Sequence, residues 1–274
     1  MKMPLIILAI FFGFVAKSQT NRFIYELKSR EDSTKEFTTN NMVLDINPKS
    51  IKFYDEDFLK YDSINKNNKE GYSSRTSSKT DQIIVRKPGS NQNTWYRDFK
   101  DYFVITSNDQ LNWKLDSETR KYNNYQLQKA TTNFGGRAWT AWFCKDINIP
   151  EGPYKFRGLP GLIFILEDSE KDFVYQLVQN KKLNYEQVTT DFVETHYGNK
   201  ALPTTNENYN KYVVDFYENP LRDMIAAMQN GKSISFKNEK VTTMDELNQK
   251  KAAIQKVIKD RFVYLERDKA PKFN

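Results

Sequence analysis

A chain of 274 residues with 42 Lys and Arg against 35 Asp and Glu carries a formal charge of +7, mixed with acids throughout rather than gathered into the basic stripe that nucleic acid requires. One cysteine, Cys144, excludes an internal disulfide, and one histidine, His196, leaves too few soft ligands for a zinc centre. Stability must come from packing, for which 19 Phe, 16 Tyr and 4 Trp supply the material.

In chain order, residues 1–18 have the three parts of a secretory signal: a basic start at Lys2, an apolar run over 4–15, and small side chains in Ala16-Lys17-Ser18. Cleavage is expected before Gln19, with export to the periplasm, the outer envelope or the extracellular space. The run is shorter than the roughly 20 residues of a membrane-spanning helix, so no transmembrane span is expected after cleavage. Residues 19–274 then keep 40 basic against 35 acidic side chains, a modest excess suited to solubility with a weak bias towards anionic surfaces.

Phe23, Tyr25 and Leu27 alternate as in a half-buried strand, and 36–46 and 51–54 continue as strands. The polar stretch 62–82 reads as a long exposed loop. From Tyr102 the spacing predicts strands over 102–106, 111–115, 120–132, 137–144, 162–167 and 173–178, separated by short turns, which favours an antiparallel meander. The runs 138–144 and 162–166 are apolar on both faces and belong in the interior. Short helices are expected within 206–229. A capping box, Thr243-Met244-Asp245-Glu246, opens a final amphipathic helix over 241–267, with Leu247, Ile254, Ile258 and Leu265 on one stripe and a frayed tail from Asp268. The resulting expectation is an α+β fold: a curved antiparallel sheet, half-barrel-like, with C-terminal helices packed against it. Residues 19–240 form the β-rich domain and the last helix is part of it.

The most distinctive segment is Gly158-Leu159-Pro160-Gly161-Leu162-Ile163, preceded by Ile149-Pro150-Glu151-Gly152-Pro153-Tyr154-Lys155-Phe156-Arg157. Leu159 to Leu162 reads as a type II turn, with Pro fixing φ and Gly accepting a positive φ. Residues 149–163 thus form a proline-braced crossover between two buried strands, and Tyr154, Phe156 and Arg157 are candidates for a docking edge. On these residues, together with Gly136-Arg137, Ala141-Trp142-Phe143, Ile147, Trp113, the 125–130 strand and Glu218-Asn219-Pro220-Leu221, the chain resembles the GLPGLI family, exported proteins of Bacteroidota-type bacteria. Relatives often carry a cysteine in the 125–130 strand where this chain has Leu127. The resemblance implies export and a family without an established activity, and it brings no catalytic residue or cofactor.

Chemistry is sparse. Cys144 closes a Trp- and Phe-rich strand and reads as an inert small hydrophobe, while His196 sits in a polar turn, which disfavours a Cys–His dyad. No Gly-x-Ser-x-Gly elbow, calcium loop or phosphate loop is present. Asp146, Glu151, Glu167 and Asp168 flank the central strands and could supply a hydrolase pair, although solvated strand ends and turn caps are the favoured explanation. Arg137 could hold an anion, with pairing to a neighbouring strand's acid the simpler use. The leading expectation is a non-catalytic binding or interaction component of an outer-envelope or transport assembly, with 149–163 as its presented edge. Two alternatives are a periplasmic carrier holding a lipid or other hydrophobic ligand in the half-barrel, and a carboxylate-based hydrolase.

Overall fold

The computed structural model describes residues 19–68 and 74–273; the expected signal segment, 1–18, lies outside the described residues. Strands β1 (Thr20–Ser29), β2 (Thr38–Ile46), β3 (Ile51–Asp55), β4 (Ile83–Arg86), β5 (Gln92–Phe99) and β6 (Asp101–Asn108) pair antiparallel in chain order. So do β7 (Lys114–Tyr122), β8 (Tyr125–Phe134), β9 (Arg137–Cys144), β10 (Leu162–Asp168) and β11 (Phe173–Leu183). Antiparallel pairing of β1 with β11 joins the two meanders, and a short β12 (Leu202–Thr204) adds in parallel beside β6, giving one open 12-stranded sheet.

Connectivity forces this sheet to curl. β6 and β7 stand ten strand intervals apart in the ladder, roughly 48 Å on a flat sheet. Yet only residues 109–113 join them, a link that reaches about 20 Å when fully extended. The sheet therefore wraps until its two ends approach, without closing. The expected curved, largely antiparallel sheet with a few helices is the fold observed.

Period-two alternation decides which side chains go inside. Tyr25, Leu27, Leu44, Phe53, Trp95, Trp139, Phe143 and Tyr175 belong to one buried cluster on the concave side. Ile24, Val43, Tyr54 and Ile83 point the other way and form a second cluster with Phe58, Phe192 and Tyr197. The cover for this second cluster is α1 (Asp57–Lys66) and a π-helical turn (Thr190–Glu194), through Phe58 stacked on Phe192 at 5.8 Å. On the concave side α2 (Asn206–Glu218) lays Tyr209 on Phe103 at 5.4 Å and Phe216 on Phe99 at 5.7 Å. Then α3 (Arg222–Gln229), the hairpin β13 (Ile234–Phe236) and β14 (Glu239–Val241), and α4 (Met244–Lys259) build a small appendage around Leu221, Ile234, Val241 and Leu247.

Several expectations need correction. The polar stretch 62–82 begins inside α1, because Phe58, with Leu59 beside it, anchors a largely polar helix over the second cluster. The expected strand 111–115 is mostly the β6–β7 link, and 120–132 is two strands, since Asn123 adopts φ +52° and turns the chain between Tyr122 and Tyr125. Strands β4 and β5, absent from the sequence reading, are joined by a Pro-Gly turn in which Ser90 N–H donates to Lys87 O at 3.1 Å.

The last helix opens where expected: Thr243 Oγ1 accepts from Glu246 N–H at 3.2 Å, and Glu246 accepts from Thr242 N–H at 2.8 Å. It stops at Lys259, however, so Leu265 is not on its stripe. Residues 264–269 instead form a strap that re-enters the sheet, burying Leu265 and Glu266, and Phe273 meets Tyr217 at 4.7 Å. The tail is tied down, because buried charges hold it.

Candidate functional site

The crossover between β9 and β10 is the part of the chain that fills the concavity. Adjacent antiparallel strands need only a tight turn, but here the chain leaves the sheet and makes a closed excursion. Glu151 pairs with Arg157 in an isolated bridge, and Gly158 N–H donates to Pro150 O at 2.9 Å. Ile163 N–H donates to Glu151 O at 3.0 Å, which ties the excursion to the start of β10. Its tip reaches the far meander. There Arg86 of β4 donates to Tyr154 O at 2.8 Å and to the Glu151 carboxylate, and the Trp95 ring stands edge-on to Tyr154 at 6.4 Å.

Of the residues singled out in sequence, Tyr154, Phe156, Leu159, Gly161, Leu162, Ile163 and Arg137 are buried, Arg157 is half-buried, and Gly158 and Pro160 are exposed. Tyr154 and Phe156 are therefore not a presented edge. Phe156 lies against Trp139 at 4.6 Å and Phe134 at 5.3 Å, and Trp113 Nε1 donates to Arg157 O at 2.8 Å, so the aromatic lining of the concave side takes these rings inward.

The expected type II turn is also different in detail. Gly161 N–H donates to Leu159 O at 2.8 Å, a three-residue turn about Pro160, while Leu162 N–H is taken by Ile147 O at 3.1 Å. Gly161 has φ +152°, and a Cβ there would sit 2.1 Å from Cys144 O. Glycine is required by the close approach of two backbones as much as by φ.

Under the crossover lies a charge network that the sequence did not signal. Lys155, with no exposed surface, places its ammonium 2.7 Å from Glu266 and 3.3 Å from Asp109. Lys269 reaches the same two acids at 2.5 and 3.2 Å, and Tyr154 Oη donates to Glu266 at 2.6 Å. Burial works to raise the Glu266 carboxyl, but Lys155 and Lys269 outweigh it and hold it below its ordinary range. Asp109 is held low by the same contest between burial and Lys155. Three distant pieces of chain meet here: the crossover, the β6–β7 link and the strap. No spacing rule connects positions 109, 155 and 266, so local pattern could not have found them.

Two further interior arginines are also paired. Arg97 makes two bonds to Asp81, at 3.2 and 2.5 Å, between the faces of Trp95 and Tyr209. Arg137 donates to Asp168 at 2.6 Å, the pairing with a neighbouring strand's acid that its position allowed, and to Leu265 O at 3.1 Å on the strap. Asp168, Glu170 and Asp172 bring carboxylate oxygens within 4.8 Å of one another. Arg137, Arg30 and Arg267 already neutralise them, with Arg30 to Asp172 at 3.2 Å and Arg267 to Asp172 at 3.1 Å.

The other chemical candidates do not assemble. Cys144 is buried in the concave cluster. His196 stacks on Tyr102 at 4.7 Å beside the second cluster, with Nε2 3.1 Å from Thr76 O. Glu151 is engaged by Arg86 and Arg157, and Asp168 by Arg137, so neither is a free acid or base. Among the described residues, the strongly perturbed carboxyl that lacks a cationic bond is Asp55, pushed up to about 6 by burial against the opposing bonds from Ser78, Lys79 N–H and Thr80. It borders a small polar notch of about 130 Å³, but its oxygens are already occupied.

A family model described as "Protein of unknown function (Porph_ging)" matches residues 133–167, from the end of β8 through the crossover into β10. The match is consistent with a GLPGLI-type protein. Two structures of PNGF-II, in the C2 and P21 space groups, are similar at a TM-score of 0.49 with 16% and 15% identity. Each alignment covers 70% of this chain and 32% of the other, so the chain spans about a third of the length of the PNGF-II chains it matches. No curated protein sequence matches the chain.

Proposed function

We propose that the chain is a GLPGLI-type exported protein acting in the periplasm or at the outer envelope as a non-catalytic interaction component of an outer-envelope or transport assembly. The observation that carries this reading is the occupied concave face: Tyr154, Lys155, Phe156 and Leu159 fill the space where a ligand or substrate would lie, and the charges beneath them are consumed in ion pairs. A carrier needs that space open, and a hydrolase needs a carboxylate free to exchange a proton. What remains available to a partner is the outer surface. It includes the free edge strand β7, almost wholly exposed, and the ridge of Arg157, Gly158 and Pro160.

The test is expression of the full chain in an envelope-bearing bacterium with a photo-crosslinking residue at Leu115 or Pro160, both exposed. The expected result is an exported chain whose N-terminus is Gln19, one adduct of defined mass from at least one position, and no lipid held in the concave face. A stoichiometric lipid that persists in native mass spectrometry when the lysines of residues 222–259 are reversed to Glu, or cytoplasmic retention, would overturn the reading.

A further inference from the structure

The basic excess of the chain has an address in the fold. Residues 19–221, which make up the sheet and α2, contain 28 basic and 28 acidic side chains and are electrically neutral. Residues 222–259, the appendage of α3, the β13–β14 hairpin and α4, contain eight basic against four acidic side chains, a net +4. Two of the eight are paired, Lys250 with Glu239 and Lys256 with Asp260. Arg222, Lys232, Lys237, Lys240 and Lys259 are exposed.

The same unit leaves apolar surface half covered. α3 has an apolar stripe of Met224, Ile225 and Met228 that packs against the Leu221, Ile234, Val241 and Leu247 cluster, yet none of its residues is fully buried. Phe236 on the hairpin is also half-buried, and Val257 on α4 is 69% exposed. At the base of α3, Lys100 and Arg222 line a groove of about 420 Å³ with Phe216, Leu221 and Met224.

We infer that this appendage is a docking surface for an anionic lipid bilayer, with lysines reaching the headgroups and the uncovered parts of the half-buried Met224, Ile225, Met228 and Phe236 side chains meeting the interface. Charge complementarity supports a bilayer over an acidic protein in a specific way. Seven of the eight basic residues are lysine, a hydrated point charge on a flexible stem that suits diffuse headgroup charge, not the arginine fork that reads a fixed carboxylate. The apolar side chains are mostly long and flexible, which suits a fluid apolar interface. The inference goes beyond the assembly reading and survives its failure, because it concerns a different face and needs no protein partner.

The folded chain is to be co-sedimented with vesicles of pure phosphatidylcholine and of phosphatidylcholine with phosphatidylglycerol, at low and high salt. Binding is expected only to the anionic vesicles, weakening as salt rises. The triple variant Lys232→Glu/Lys237→Glu/Lys240→Glu should lose at least about 10-fold in affinity. Lys121→Glu/Lys181→Glu/Lys182→Glu, the same charge change on exposed sheet positions, should lose less than about 3-fold, since those lysines lie on β7 and β11 and not on the appendage. As a check that needs no charge reversal, a polarity-sensitive dye on Met228→Cys should shift to the blue with anionic vesicles. Equal losses in the two triple variants, no preference for anionic lipid, or binding to polyglutamate but not to vesicles would each overturn the proposal.

Discussion

Gly161 lies at a close approach of two backbones on the crossover, and it separates two reasons for which a turn can need glycine. A Cβ at Gly158, at φ +93°, meets nothing within 4 Å, so a side chain there strains φ alone. At Gly161 the added atom would also meet the Cys144 carbonyl at 2.1 Å, and the start of β10 must move to admit it. Gly158→Ala is expected to cost about 1 kcal/mol, and Gly161→Ala about 3 kcal/mol or more. Urea unfolding of the two variants checks this, and equal losses would mean that the close approach contributes nothing. The Pro-Gly pair was legible as a turn signal. The close approach was not, because Cys144 reaches Gly161 only through the pairing of β9 with β10.

At the scale of elements, the strap over 264–269 and the crossover depend on each other. Arg267 N–H donates to Gly135 O at 2.8 Å, and a Cβ on Gly135 would stand 2.9 Å from the Glu266 backbone, so the strap lies directly on the β8–β9 turn. The Glu266 carboxylate then meets Lys155 from the crossover. Removing one member of a buried pair leaves an uncompensated charge in a place that water does not reach. Lys155→Met should therefore destabilise the fold by about 3–5 kcal/mol. The double variant Lys155→Met/Glu266→Gln should recover at least about 1 kcal/mol of the summed single losses. Hydrogen exchange should show the Arg267 amide protected in the parent and opened in Lys155→Met; additive losses with unchanged protection would sink the interdependence. The helix over 241–267 was overextended for a physical reason: Leu265 matches the helical stripe in sequence but finds its apolar partner in the sheet.

For the whole molecule, burial and pairing act on stability with opposite signs in pH. Asp55 has its folded-state value raised from 3.8 to about 6, so the folded form binds the proton more tightly than the unfolded one. Its stabilising contribution is full below about 4 and is lost as pH rises through about 6, a change of about 3 kcal/mol. Glu266 and Asp109 are held low, and their contribution is lost as pH falls through their folded values. Asp55→Asn should thus gain about 2–3 kcal/mol relative to the parent between pH 4 and pH 7.5. Unfolding free energies at those two pH values test it, and a constant difference would show that Asp55 titrates normally. The strands most visible in sequence, β1, β9 and β10, are those whose alternation or two-sided apolar character reflects burial, and with them the class of fold was readable. Missing were β4, β5 and the 123–124 turn, where polar residues such as Asn93, Arg97 and Asn123 interrupt the pattern yet find partners or tolerate the required φ. The clustering of the basic excess on the appendage was countable from the chain, but only the fold shows that residues 222–259 form one unit. Sequence by itself determined the sheet-forming segments, the helix caps and the proline-braced crossover, because those depend on neighbours a few residues apart. Only the tertiary structure decided that the crossover turns inward and is locked by positions 109, 266 and 269, since a short link between β6 and β7 curls the sheet and brings charges together that lie more than a hundred residues apart.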